Sequence, residues 1–223
     1  MKLTGAIFDM DGTMIDSLGL WDVLWKRFGD KYCGGVPFVP DEVADRYIRT
    51  VILPEAMRFL HEHCHIGESG EELFAEADAC FIHFYETEVQ LKKGVREFLD
   101  YCAENGVKMC IASAGEPHLI RTVLKHCELE KYFCDIVSCK SVGKGKEAPD
   151  VFFAARELLG TPMDETWVFE DSVLALDTAR KAGFHTVGIY DSHNHDPERV
   201  RELSEIYIAD GEGLDRLIRE ELV

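Results

Sequence analysis

Positive charge is scarce in this sequence, long apolar runs are missing, and no two cysteines stand at Cys-x-x-Cys spacing. Lysine and arginine number 24 against 42 aspartates and glutamates, a formal charge of −18. A chain this acidic repels phosphate backbones, and no Lys/Arg block offsets it, so no nucleic-acid partner is expected. No apolar stretch approaches the roughly 20 residues of a membrane helix, so no membrane partner is expected. Met1-Lys2-Leu3-Thr4-Gly5 runs straight into a strand-like segment with no secretory h-region, and the expectation is a cytoplasmic protein. Internal repeats and low-complexity tracts are absent as well.

The chain does hold eight cysteines, at 33, 64, 80, 102, 110, 127, 134 and 139. Most fall inside apolar periodic segments, which suits reduced, buried thiols and gives no support to a disulfide framework, a redox pair or a zinc site. At 223 residues and 46% apolar composition, the chain can form one full α/β domain with a small second unit.

Short apolar runs mark buried parallel strands at residues 4–8, 107–112, 135–137, 166–169 and 186–189, with a weaker sixth at 206–208. Helical periodicity lies between them. Val95, Phe98, Leu99 and Cys102 precede an Asn105-Gly106 stop. Leu119, Ile120, Val123 and Leu124 follow Pro117, and Phe152, Ala155, Leu158 and Leu159 precede Gly160. This alternation implies a parallel sheet wrapped by helices. Residues 17–90 break it, carrying helix signals and no convincing strand. Trp21, Leu24, Trp25 and Phe28 mark one helix. Ser69 with Glu72 reads as a capping box opening another. The expected organisation is therefore an α/β core of residues 1–16 and 92–223. An all-helical cap of residues 17–91 interrupts it, with hinges near 16–18 and 91–94.

Four segments carry chemistry. Asp9-Met10-Asp11-Gly12-Thr13 follows strand one, and sites in open α/β sheets form outside the carboxyl ends of strands. One carboxylate there can bind a hard cation and attack phosphorus, while the other exchanges protons with a leaving oxygen and with water. Gly12 allows the turn between them. Glu170-Asp171-Ser172 follows another strand, and its acids would repel Asp9 and Asp11 unless a divalent cation lay between them. Oxygen-only ligation points to Mg²⁺. The same segment also reads as a helix start capped by Ser172. Ser113, with the backbone of Ala114, can hold phosphate oxygens at a strand end. Lys146 can offset phosphoryl charge, with Lys144 as its competitor.

Together these segments resemble the haloacid dehalogenase superfamily, in particular its β-phosphoglucomutase-like branch. Asp9–Thr13, Ser113, Lys146-Glu147-Ala148-Pro149-Asp150 and Glu170-Asp171-Ser172 match its four motifs in order over essentially the whole chain. The resemblance implies a doubly wound, Rossmann-like core with a helical cap inserted after strand one. It implies Asp9 as nucleophile and metal ligand, and Asp11 as general acid/base that binds metal through its carbonyl. Asp171 would be a metal ligand and Glu170 would act on the metal directly or through water. Ser113, Ala114 and Lys146 would bind the phosphoryl group. The activity implied is Mg²⁺-dependent hydrolysis of a small phosphorylated metabolite, by a chain that nothing requires to be more than a monomer.

The departures from that branch favour a phosphatase. Trp21 and Pro54 align with a cap histidine and arginine of the β-phosphoglucomutases. A phosphosugar mutase is accordingly the alternative, and a non-catalytic binding protein on the same fold is a more distant one. Ala175 stands where the family has glycine, and Lys93 where it often has proline. Trp21, Trp25 and Arg49 are candidates for the cap–core interface. His61, His63, Cys64 and His65 read as a solvated helix end, and residues 192–196 as a polar loop.

Overall fold

In the computed structural model, residues 2–48, 51–194 and 196–220 are described. The first run, β1 (Gly5–Phe8), leads into a short β2 (Ile15–Asp16). Four helices follow: α1 (Leu20–Tyr32), α2 (Glu42–Ile48), α3 (Leu53–Cys64) and α4 (Gly70–Thr87). The chain returns through β3 (Gln90–Leu91) to α5 (Val95–Glu104), β4 (Lys108–Ser113), α6 (Pro117–His126) and β5 (Ile136–Ser138). It continues with α7 (Cys139–Val142), α8 (Asp150–Leu159), β6 (Thr166–Glu170) and α9 (Val173–Lys181). It closes with β7 (His185–Ile189), α10 (Pro197–Leu203), β8 (Ile206–Ile208) and a 3₁₀ segment, Leu214–Glu220.

Six strands form one sheet in the order β5-β4-β1-β6-β7-β8, with every neighbouring pair parallel. The apolar runs form these strands because both faces of the sheet are covered. Phe8, Met109, Ile111, Trp167 and Phe169 point into the larger core, whereas Ile7, Cys110, Ala112 and Val168 point into a second core beneath α8 and α9. On the larger side Phe8 stacks on Phe169 with ring centroids 4.4 Å apart. The helices that face the sheet bury most of their expected stripes, including Val95, Phe98, Leu99 and Cys102 of α5, but Leu158 of α8 lies off the buried stripe and is exposed.

The chain builds β4 and β5 on one side of β1 and then crosses to build β6, β7 and β8 on the other. The crevice at that reversal is where a doubly wound sheet binds ligands. Helices α1–α4 form the cap beside it. Ser69 caps α4 by accepting the Glu72 N–H at 3.1 Å, while the Glu72 carboxylate takes the Glu68 N–H at 2.8 Å. The reciprocal half of the box is thus displaced by one residue.

Both hinge segments contain strand, which the sequence reading left out. β2 and β3 pair antiparallel, Ile15 with Leu91 and Asp16 with Gln90, and tie the outgoing and returning chain together. Ala175 is fully buried in the second core, so the packing there accommodates its methyl group. Lys93 extends along the surface to donate to the Gly211 carbonyl at 2.7 Å. All eight cysteines are free; five are buried, Cys33 and Cys64 are half-buried, and Cys134 is exposed. Among the described residues no helix is long and apolar enough to cross a membrane.

Candidate active site

The end of β1 delivers Asp9 into the crevice, its amide bonded to the Phe169 carbonyl of β6 at 2.9 Å. The chain then turns back through Gly12, whose φ of 76° only glycine adopts without strain. A side chain there would also collide with Asp171, since a Cβ would lie 2.7 Å from its Oδ2. The turn thus packs the first acidic segment directly against the second.

Asp9, Glu170 and Asp171 are buried and offer oxygens within 4.8 Å of one another. They are the only such group of three histidine, cysteine or acidic side chains among the described residues. Lys146, also buried, ion-pairs with Asp9 and with Glu170, the latter at 2.6 Å. Burial works to lower the lysine pKa, but the two carboxylates overcome this and raise it, so it is a fixed cation. Its competitor Lys144 lies on the surface, paired with Asp150 at 2.9 Å.

Every acid has further partners. Glu170 Oε2 accepts the Asp171 and Ser172 amides at 2.8 and 3.1 Å, which fixes the turn leading into α9; the Ser172 side chain makes no cap bond, contrary to the expectation that it caps this helix. Asp171 Oδ1 accepts from Thr13 at 2.8 Å, and its Oδ2 accepts from Asn194 at 3.0 Å. Asp11 Oδ1 accepts two hydroxyls, Ser17 at 2.7 Å and Tyr85 of α4 at 2.6 Å. Ser113 is buried at the last position of β4, and its Oγ accepts the Gly115 amide at 2.9 Å.

Burial pushes the Asp9 carboxyl well above its usual range, and Glu170 and Asp171 add to this against the pull of Lys146. Burial, followed by Glu170, pushes Asp171 up to about 7. One ammonium does not neutralise three carboxylates held this close, so the donor set fits an added divalent cation. The ligands are all oxygen, which suits a hard ion.

These groups line a cleft of about 840 Å³ that also contains Ser113, Ala114 and, from the cap, Trp21, Phe81 and Tyr85. The structure therefore brings together Asp9, Asp11, Ser113, Ala114, Lys146, Glu170, Asp171 and Trp21. It does not bring Trp25, which packs inside the cap against Phe28 and Phe38, with ring centroids 6.0 and 5.6 Å away. Arg49 lies outside the described residues. The histidines near 61 end a helix: His61 bonds the Ile66 carbonyl at 2.9 Å, His63 bonds Asp41 at 2.8 Å, and His65 takes a left-handed turn.

Two contacts were not visible in the sequence. Tyr85 lies on the buried, otherwise apolar stripe of α4, and Asn194 falls in the segment 192–196 expected to be a polar loop. The loop instead carries Asn194 into the site, and His193 lines the cleft; His195 lies outside the described residues. The only local signal for Tyr85 is a hydroxyl on an otherwise apolar helix stripe.

A doubly wound sheet, an inserted helical cap and a carboxylate cluster at the strand ends define a capped α/β hydrolase. The chain belongs to the haloacid dehalogenase-like hydrolases, whose family profile matches residues 3–183. It is 26% identical over 221 residues to the phosphorylated carbohydrates phosphatase of Thermotoga maritima, covering 99% of this chain and 100% of that one. It is 30% identical over 196 residues to the "Probable pseudouridine-5'-phosphatase" of Drosophila melanogaster, covering 85% and 83%. A Thermotoga maritima crystal structure, provisionally called a beta-phosphoglucomutase, superposes with a TM-score of 0.78 at 26% identity, covering 100% of both chains.

Proposed function

We propose that the protein is a Mg²⁺-dependent phosphatase that hydrolyses a small phosphorylated metabolite through an aspartyl phosphate on Asp9. The observation that carries this reading is the buried group of Asp9, Glu170 and Asp171 bridged by Lys146 at the floor of a capped cleft. The names of the relatives, phosphatases acting on phosphorylated carbohydrates and on pseudouridine 5'-phosphate, support the same substrate class.

Asp9, Asp171 and the Asp11 carbonyl would hold the cation, with Glu170 beside them. When bound, it would neutralise charge on the phosphoryl oxygens and on the attacking carboxylate. Lys146 and Ser113, with the backbone at Ala114, bind and orient the phosphoryl group. An Asp9 oxygen attacks phosphorus as the ester P–O bond breaks, and Asp11 gives its proton to the leaving alcohol. Water then attacks the phosphorus of the aspartyl phosphate. Asp11 takes the water proton, and Asp9 leaves as a carboxylate with release of inorganic phosphate. The moving unit is residues 17–91, which close over the cleft and exclude bulk water. A monomer in the cytoplasm, with no nucleic-acid partner, completes the proposal.

The test is phosphate release from a panel of phosphorylated sugars, polyols, nucleotides and acetyl phosphate, with and without Mg²⁺. Mg²⁺-dependent release from at least one member is expected. Inactivity throughout sinks the reading, and an isomeric phosphate product in place of free phosphate transfers it to the mutase.

A further inference from the structure

One ion pair, between the half-buried Lys92 and the buried Asp191, has no part in the chemistry above. Lys92 Nζ lies 2.6 Å from Asp191 Oδ2, and the two side chains are 17% and 3% exposed. Lys92 also donates to the Tyr190 carbonyl at 2.8 Å. Removing such a pair from water is costly, and surface packing alone does not call for it.

The position of each partner is informative. The Lys92 amide bonds the Met14 carbonyl at 2.9 Å, so its backbone belongs to the ribbon through which the chain leaves and re-enters the core. Asp191 follows β7, and its other oxygen accepts the His193 amide at 2.8 Å. The Asn194 amide bonds the Asp191 carbonyl at 3.2 Å. This tight loop aims the Asn194 side chain at the Asp171 carbonyl, at 2.9 Å, and at Asp171 Oδ2, at 3.0 Å. With Thr13 on Oδ1, both Asp171 oxygens are held and the carboxylate plane is fixed.

We propose that Lys92, Asp191 and Asn194 are positioning residues that tie the geometry of the cap hinge to the orientation of Asp171. The inference rests on the reading that Asp171 helps to hold a divalent cation. A shift of the ribbon moves the Lys92 ammonium, the loop 191–194 follows, and the Asn194 amide turns the carboxylate. Cation affinity and cap position are then linked, and linkage of this kind is reciprocal.

Mn²⁺ binding followed by electron paramagnetic resonance tests this without reference to turnover. Wild type, Lys92→Met, Lys92→Arg, Asn194→Ala and the double variant Lys92→Met/Asn194→Ala are titrated, with folding checked by circular dichroism. Lys92→Met and Asn194→Ala are each expected to weaken Mn²⁺ binding about 10- to 100-fold, the usual cost of losing an outer partner of a ligand. Lys92→Arg is expected to stay within about threefold of wild type, because the charge pair survives. The double variant is expected to be no weaker than the weaker single one, since both act through one loop. Lys92→Met binding Mn²⁺ like wild type, or a double loss equal to the product of the single losses, overturns the inference. If Lys92→Met does not fold, Asp191→Asn replaces it with the same expected loss. Wild type that fails to bind Mn²⁺ sinks the cation reading itself, which is a separate outcome.

Discussion

Tyr85→Phe removes a single oxygen and isolates what the cap contributes to proton transfer. The Tyr85 hydroxyl is one of two donors to Asp11 Oδ1, at 2.6 Å, and Ser17 is the other, at 2.7 Å. Tyr85 belongs to α4, whereas Asp11 belongs to the core, so this bond forms only when the cap is seated. A hydrogen bond to a charged group is worth about 1.5–3 kcal/mol. Because Ser17 remains, the lower part of that range applies, and kcat is expected to fall about 10- to 30-fold. KM should change little, since in the proposed mechanism Asp11 would act on the leaving oxygen and not on the phosphoryl oxygens assigned to Ser113 and Lys146. The aromatic ring keeps its place beside Phe81 and Phe84, so the fold should persist. Steady-state phosphate release measures both constants. Substrates with better leaving groups should lose less, because they need less proton donation. A kcat within twofold of wild type, or an equal loss for every leaving group, refutes the reasoning.

Three further outcomes are expected. Asp9→Asn should abolish turnover while leaving the chain folded, and in EDTA it should melt no lower than wild type, because a carboxylate leaves a repulsive cluster; substantial turnover would refute the nucleophile assignment. Asp171, raised from its ordinary 3.8 to about 7, binds its proton more tightly folded than unfolded, as does Asp9. In EDTA, melting temperature should therefore fall as pH rises from about 4 through about 7, and saturating Mg²⁺ should flatten that fall; parallel curves with and without the ion would contradict it. Trp21→Ala should raise KM for the metabolite substrate several-fold more than for acetyl phosphate, which is too small to reach the cap wall; equal effects on both would remove Trp21 from recognition.

The core was legible because its strands are buried on both faces. That burial demands unbroken apolar runs, and the six runs match the six strands to within a residue or two at their ends. Three of the chemical segments were legible because each sits at a strand end, where a change from apolar to acidic or hydroxyl residues is abrupt; Lys146 instead lies in the loop between α7 and α8, where local pattern left Lys144 as its competitor. The ribbon escaped because two residues per strand carry no periodicity. Trp21 and Trp25 are four apart on one helix face, and periodicity cannot say which faces the cleft and which the cap interior. Tyr85 and Asn194 reach acids 74 and 23 residues away, and such distant pairs leave no local trace in a single sequence.

The central place of β1 bears on how the molecule is made. Its Gly5 lies beside Lys108 on one side and Thr166 on the other. During synthesis, a nascent chain shorter than about 166 residues leaves one flank of this strand without a partner, and its apolar edge exposed to misassociation. The pairings close loops of great length, so folding is expected to be slow for a domain of this size. Asp9 meets Glu170 and Asp171 only when β6 fills that flank, so a chain that has not yet paired β6 has no acidic cluster.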